Sequence, residues 1–126
     1  MARRLVWIDS SQKDFLAFPD LVRLDVLAAL SIAQDGDKAA SAKPLKGFSG
    51  ASVLEVVEND RSGTYRCVYT VKFQSTIYVL HAFQKKSRKG IATSQQDLDM
   101  IDRRLKRAAE LEADFREQEK KRKGLL

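Results

Sequence analysis

Two alternating apolar runs in the middle of the chain constrain the fold more than any other feature. Residues 64–73 (TYRCVYTVKF) and 76–83 (TIYVLHAF) alternate with period two and are separated only by Gln74-Ser75. This pattern predicts two strands joined by a tight hairpin. The hairpin would hold together a group of basic and polar side chains that lie along it and just after it, namely Arg66, Lys72, Gln84, Lys85 and Lys86.

Length and charge limit what such a chain can be. With 126 residues, 44% hydrophobic and 32% charged, it is long enough for one domain and too short for two ordinary ones. Its 23 Lys and Arg outnumber 17 Asp and Glu, for a formal charge of +6, which favours a polyanionic partner such as a nucleic acid.

The cysteine count and the N-terminal segment bear on location. Cys67 is the single cysteine, so an internal disulfide or a cysteine-based zinc site is excluded, and we expect it to be a buried core thiol. The apolar run after Arg3-Arg4 is too short for a signal sequence or a membrane span. We therefore expect a cytoplasmic protein with no membrane partner.

The segments before the hairpin predict a strand, two helices, a loop and a further strand. Residues 5–8 form a short apolar run, and a short helix after Ser10 or Ser11 should stop at Pro19. A second helix should run from Asp20 to about Gly36, where glycine suits a C-terminal cap. Its predicted buried stripe is Val22, Val26, Leu30 and Ala33, with Leu27 beside them. Residues 35–50 are expected to be an exposed loop and residues 53–58 a strand.

A long C-terminal helix completes the predicted architecture. Thr93 and Gln96 have capping-box spacing, and an apolar stripe follows up to Phe115. We expect one domain over residues 1–115 and a charged, frayed tail over residues 116–126. The predicted fold class is α+β, with an antiparallel sheet, an N-terminal helical hairpin and a long C-terminal helix.

Alternation also assigns the side chains of the first hairpin strand to two faces. Five of them should form the core face: Tyr65, Cys67, Tyr69, Val71 and Phe73. The other face, with Thr64, Arg66 and Lys72, is expected to be partly polar. A charged residue in the middle of an apolar strand should point to an open face, where the Arg66 guanidinium could hold a phosphate by two donors.

The common enzyme motifs are absent from the sequence. It has one histidine, no HExxH, no phosphate-binding Walker loop and no GxSxG, so we expect no metal and no cofactor. His81 lies within the second hairpin strand, where a packed histidine bonded to a neighbour is a better interpretation than a catalytic one. The remaining candidates are cations, because a groove lined by them would bind an RNA or DNA backbone. They are Lys43 and Lys46 in the loop, with Arg66, Lys72, Lys85 and Lys86 on the hairpin.

Several of these segments together resemble one family. The segments are KPLKGF at residues 43–48, VLE at 53–55, GTYR at 63–66 and VLHAFQKKS at 79–87, followed by the long helix. In this order they resemble the phage-derived HigB-like branch of the RelE/ParE toxin superfamily, over residues 6–107.

The resemblance implies a toxin of a type II toxin-antitoxin system with the RelE-like fold. Such toxins enter the ribosomal A site and cut mRNA, and a cognate antitoxin, often a helix-turn-helix protein, neutralises them. Arg66 matches the strand arginine expected to hold the scissile phosphate, and Lys85 or Lys86 matches the basic residue after the last strand. Lys43 and Lys46 match loop lysines that grip RNA, with Lys72 and Gln84 as further RNA-binding candidates.

One departure from the family pattern affects the expected activity. Many relatives have Glu-Leu-Arg in the strand before the hairpin, whereas this chain has Glu55-Val56-Val57 and so lacks one cation. One interpretation of the sequence is a metal-independent endoribonuclease. The alternative is a non-catalytic protein of the same fold, such as a topoisomerase inhibitor or a degenerate toxin.

Overall fold

The residues that the structure describes form one five-stranded sheet and three helices. The computed structural model describes residues 2–48, 50–85 and 93–124. In chain order the elements are β1 (Arg4–Trp7), α1 (Ser11–Leu16), α2 (Asp20–Gln34), β2 (Ala42–Pro44), β3 (Val53–Asp60), β4 (Gly63–Thr70), β5 (Thr76–Lys85) and α3 (Gln95–Gly124).

The sheet is antiparallel except at one edge. Its order is β1-β5-β4-β3-β2, with β1 parallel to β5 and every other pair antiparallel. The predicted α+β class, helical hairpin and long final helix are confirmed. The predicted 35–50 loop is wrong in one part, because β2 lies within it and pairs with β3. Three residues are too few for a period-two pattern to show in the sequence.

α1 and α2 cover one face of the sheet. The predicted stripe of α2 is buried there at Val22, Val26, Leu30 and Ala33, against strand residues that include Cys67 and Tyr69. Leu27 was wrongly assigned to this stripe, since 43% of it is exposed. The predicted glycine cap at the end of α2 is present, because Gly36 has a φ of 93°. The Gly36 amide donates to the Ala33 carbonyl, and the Asp37 amide donates to the Ile32 carbonyl.

α3 covers the opposite face, which we had expected to be partly polar. A second cluster lies there, with Val68, Tyr78 and Leu80 from the sheet against Ile101 and Ala108 of α3. Phe73 packs in this cluster and not on the α1–α2 face predicted for it, because β4 ends at Thr70 and its alternation ends with it. The sheet is therefore buried on both sides.

A β-bulge in β5 decides which of its side chains face α3. Val68 pairs with His81 and Tyr69 with Val79, so Leu80 is an extra residue in β5. Tyr78 and the extra residue Leu80 pack towards α3, and His81, the first residue after the bulge, also does so. The bulge therefore shifts the period-two pattern by one residue.

α3 is attached to the sheet at its start, middle and second half. Ser94 caps its first turn by accepting from the Asp97 amide, so the capping pair lies one residue after the predicted Thr93 and Gln96. Arg104 is buried and donates to the Leu80 carbonyl at 2.9 Å. Buried Glu112 accepts from the Tyr78 hydroxyl at 3.0 Å.

The charged C-terminal segment continues α3. The helix extends to Gly124, through most of the tail for which we had expected fraying. Phe115 lies beneath the guanidinium of Arg4, 3.4 Å from carbon to ring centroid. Among the described residues, no helix combines the length and the apolar character needed to cross a membrane.

Candidate functional site

A cavity lies between the β2–β4 end of the sheet and the start of α3. Its volume is about 260 Å³. Leu45 and Leu98 form an apolar part of its wall. Its polar lining consists of Lys43, Lys46, Glu55, Arg66 and Thr93. A partly apolar cavity with a few converging charged groups is a typical ligand site.

Strand register brings the charged lining together. Lys43 of β2 pairs with Glu55 of β3, Glu55 pairs with Val68 of β4, and Arg66 is two residues before Val68. Side chains at pairing positions share a face, and residues two apart along a strand also do. Lys43, Glu55 and Arg66 therefore project from three neighbouring strands on the α3 face.

Arg66 is buried and ion-paired, contrary to the expected open face. Only 4% of it is exposed, and its Nη1 donates to Glu55 Oε2 at 2.9 Å and to Thr93 Oγ1 at 3.3 Å. Lys43 Nζ lies 3.7 Å from the other Glu55 oxygen. A charge is tolerated in this position because the buried carboxylate compensates it. Arg66 is nevertheless one of the residues that line the cavity.

Lys85 lies beside this group at the end of β5. Lys85 pairs with Thr64, which is two residues before Arg66 in β4. Because of the bulge in β5, the Lys85 side chain therefore lies on the same face of the sheet as Arg66. Desolvation, followed by repulsion from Arg66 and Lys43, lowers the pKa of Lys85, and Glu55 opposes this shift. A lowered lysine pKa is one condition for proton acceptance at neutral pH.

The other predicted site residues do not all belong to the cavity. Lys46 lines it and is exposed. Lys72 lies beyond the far end of β4, with Nζ 5.9 Å from the Phe73 ring centroid. Gln84 pairs with Tyr65 of the α1–α2 face and donates to the Ser62 carbonyl at 2.8 Å. Lys72 therefore lies away from Arg66, contrary to expectation, and Gln84 is close to Arg66 along the ladder but on the opposite face of the sheet. Lys86 lies outside the described residues.

Two cavity residues, Glu55 and Thr93, were not among the predicted site residues. Glu55 had a signal, because it is a charged residue in the middle of the apolar run VLEVV, just as Arg66 is in its own strand. The common face of Glu55 and Arg66 follows only from the β3–β4 register. Thr93 had no such signal, because its approach to Arg66 depends on where α3 starts.

The two interpretations of His81 and Cys67 as packed residues are confirmed. His81 Nε2 lies 2.8 Å from Asp97 Oδ1, and its ring stacks on Phe83 with centroids 4.5 Å apart. Burial lowers the pKa of His81, more than the Asp97 bond raises it. Cys67 is fully buried, and desolvation raises its pKa to about 12, so it is no reactive thiolate.

Together the fold and the site define a class of protein: a small α+β domain with a cationic cavity where one face of the sheet meets the start of its final helix. The family can also be stated. Residues 13–106 match the model of the family described as phage derived protein Gp49-like, and the chain belongs to that family. No curated protein matches its sequence significantly.

Solved structures with a similar fold are RelE toxins. A double arginine mutant of E. coli toxin RelE in the free state has a TM-score of 0.52 and 17% identity, covering 85% of this chain and 98% of that one. The isolated E. coli RelE toxin has a TM-score of 0.50 and 17% identity, covering 81% and 98%. At this identity the likeness establishes the fold, which is that of RelE.

Proposed function

We propose that this protein is the toxin of a type II toxin-antitoxin system, of the HigB-like branch, and that it cuts mRNA on the ribosome. The observation that supports this most is the convergence of Arg66, Lys43 and Lys46 at one cavity from separate parts of the chain, with Lys85 close enough to Arg66 and Lys43 to be repelled by them. The Gp49-like family and the RelE fold favour the same function.

RNA cleavage suits a cavity of this composition because RNA supplies its own nucleophile. The 2′-hydroxyl attacks the adjacent phosphorus, the P–O5′ bond breaks, and the protein has to position the phosphate and stabilise the charge that develops on it. In our proposal Arg66 holds the scissile phosphate, which competes with Glu55 for the guanidinium. Lys43 and Lys46 bind neighbouring phosphates.

Lys85 is the proposed proton acceptor in this reaction. Its lowered pKa increases the fraction of neutral amine at neutral pH, and the neutral amine can take the 2′-hydroxyl proton. The leaving 5′-oxygen then takes a proton from the Lys85 ammonium that the first proton transfer formed. Lys86 follows Lys85 in the sequence and is proposed as a further cation for the phosphate.

The proposed partners are mRNA in the ribosomal A site and a cognate helix-turn-helix antitoxin, with the protein acting in the cytoplasm. An antitoxin of this kind would be expected from a reading frame next to the gene for this chain. Such a neighbour would favour the toxin proposal over a general nucleic-acid-binding function.

The test is induced expression followed by growth measurement and mapping of mRNA ends. Growth should stop and new mRNA ends should appear with the parent chain, and both effects should be lost with Arg66→Ala. Arg61→Ala is the matched control, because Arg61 is an exposed arginine in the turn between β3 and β4. An Arg66→Ala variant as toxic as the parent would refute the proposal.

Arg66→Ala leaves Glu55 buried without its partner, so loss of folding has to be separated from loss of function. The double variant Arg66→Ala with Glu55→Ala removes both charges, and a thermal unfolding curve shows whether each variant is folded. A folded double variant that still cuts mRNA would also count against the role of Arg66.

A non-catalytic RelE-fold binding protein is the second candidate function. Two features favour it: Arg66 is buried against Glu55, and Val57, opposite Arg66, stands where the resemblance implies a cation. This function, for example inhibition of a topoisomerase, predicts growth arrest with intact mRNA. The same end-mapping experiment therefore distinguishes the two candidates.

A further inference from the structure

The large apolar side chains that lie exposed are concentrated on the N-terminal helices. Within the described residues, those that are exposed are Leu16 at 56%, Leu21 at 75%, Leu24 at 61%, Leu27 at 43% and Ile32 at 39%. All five belong to α1 or α2. Scattered exposed leucines are ordinary, but a concentration on one element indicates an interaction surface.

Four residues of α2 form a continuous row on its outer side. Leu21, Leu24, Ala28 and Ile32 follow one another at spacings of three and four, which places them on one side of a helix. We name these four residues the α2 stripe. Between its first and last residue the helix rises by ~17 Å, or about three turns. The buried side of α2 faces the sheet, so this stripe faces away from it.

Acidic residues flank the α2 stripe. Asp20, Asp25 and Asp35 are exposed along α2, and Arg23, which pairs with Asp20, is the one basic residue between Asp20 and Asp35. This segment is thus negative in a chain whose formal charge is +6.

Two acidic side chains near the α2 stripe, Asp25 and Glu58, repel each other. Desolvation, with added repulsion from Asp25, raises the pKa of Glu58 in β3, so the two carboxylates lie close enough to repel each other. In the part of the chain that the structure describes, neither of them forms an ion pair. A cation from outside the chain would relieve this repulsion.

We propose that the α2 stripe is the docking surface for an amphipathic helix of a protein partner, apolar on one side and flanked by Lys or Arg. Leucines at helical spacing accept the apolar side of such a helix, and Asp25 and Glu58 accept its cations. The stripe and the cationic cavity lie on opposite faces of the sheet. A partner held here leaves the cavity open, and this inference does not depend on the proposed ribonuclease function.

The test uses the full chain and two synthetic peptides of equal length and apolar side. Each has about 15 residues, enough to span the stripe. One carries Lys beside its apolar side and the other carries Glu at the same positions. Binding is measured by fluorescence anisotropy, and the contacted residues are mapped by NMR chemical shifts.

The Lys peptide should bind, with shifts at α2, and should bind about tenfold or more tightly than the Glu peptide. Leu24→Ser combined with Leu21→Ser should weaken the Lys peptide by about tenfold or more, since both side chains would lose apolar contact. Asp25→Asn should weaken it less, and only at low salt. Ala113→Ser, at an exposed position of α3 on the opposite face, is the control and should leave binding unchanged.

Three results would overturn the proposal. They are failure of the Lys peptide to bind, binding that the leucine substitutions leave unchanged, and a free chain that sediments as a dimer until Leu24→Ser makes it monomeric. The last result would assign the α2 stripe to a second copy of this chain. The leucine variants can be compared with the parent because both side chains are largely exposed, which keeps their effect on folding small.

Discussion

Val57 lies directly opposite Arg66 in the β3–β4 ladder, on the face of the sheet that α3 covers. The resemblance seen in the sequence implies an arginine at position 57, and this chain has an apolar side chain there. The buried charge of Arg66 is compensated by Glu55, two residues before Val57 on the same strand. The face of the sheet that carries Arg66 therefore has one cation fewer than the resemblance implies.

Val57→Arg should increase the affinity of the protein for single-stranded RNA. The new guanidinium would stand next to Arg66, and each added phosphate contact steepens the dependence of log affinity on log salt by about 0.7 for a single strand. The measurement is anisotropy of a labelled RNA oligonucleotide over a range of salt. Gln12→Arg, exposed on α1 at the opposite face, adds the same charge and should change the slope little. Equal slopes for both variants would place RNA binding elsewhere.

The cleavage rate should rise with pH through the neutral range if Lys85 accepts the proton. Only the neutral amine is active, and the lowered pKa of Lys85 brings the neutral form into reach below the ordinary lysine value of about 10.4. Lys85→Gln should slow cleavage and flatten the pH profile. Lys72→Gln, at the far end of β4, should keep the parent's profile, and a rate independent of pH in the parent would exclude Lys85 as the base.

His81 should make the fold less stable as the pH falls below about 6.5. Burial holds its folded pKa below this unfolded value, so between the two values the unfolded chain binds more protons and the free energy of unfolding decreases as pH falls. Urea unfolding at a series of pH values measures this decrease. The parent should lose more stability than His81→Gln between about pH 7.5 and about pH 5.5, and parallel curves would contradict the assignment.

Glu112 should contribute strongly to the attachment of α3. It is 3% exposed and accepts from Ser75 at 2.6 Å and from Tyr78 at 3.0 Å, and Arg4 lies 3.9 Å away. Burial alone would raise the pKa of Glu112, but the hydrogen bonds it accepts outweigh burial and lower it. Glu112→Ala should therefore reduce the free energy of unfolding by about 3 kcal/mol, because donors and a cation lose their acceptor.

Thermal or urea unfolding checks this value. Glu110→Ala, an exposed glutamate on the same helix, should change stability by less than about 0.5 kcal/mol. Tyr78→Phe should cost about 1 kcal/mol, as expected for one hydrogen bond. If Glu112→Ala were as mild as the control, the second half of α3 would not depend on this cluster.

The sequence by itself determined the elements and most of the core. Period-two runs identified β3, β4 and β5, and an apolar stripe that ends at a glycine identified α2. A capping pattern identified the start of α3 to within one residue of the observed cap. These features succeed because strand and helix periods act over neighbouring residues, so their signal is local. Cys67 and His81 were also assigned correctly, since an apolar strand on each side of them favours burial.

Only the tertiary structure decided which of these residues meet. The bulge at Leu80 shifts the pattern of β5, so that Lys85 faces Arg66 while Gln84 faces the other side. The β3–β4 register places Glu55 and Arg66 on one face, where their side chains form an ion pair. α3 covers this face, which its polar residues had suggested was open. The physical reason is that bulges, register and the covering of a face depend on packing between segments far apart in the chain, which no local period records.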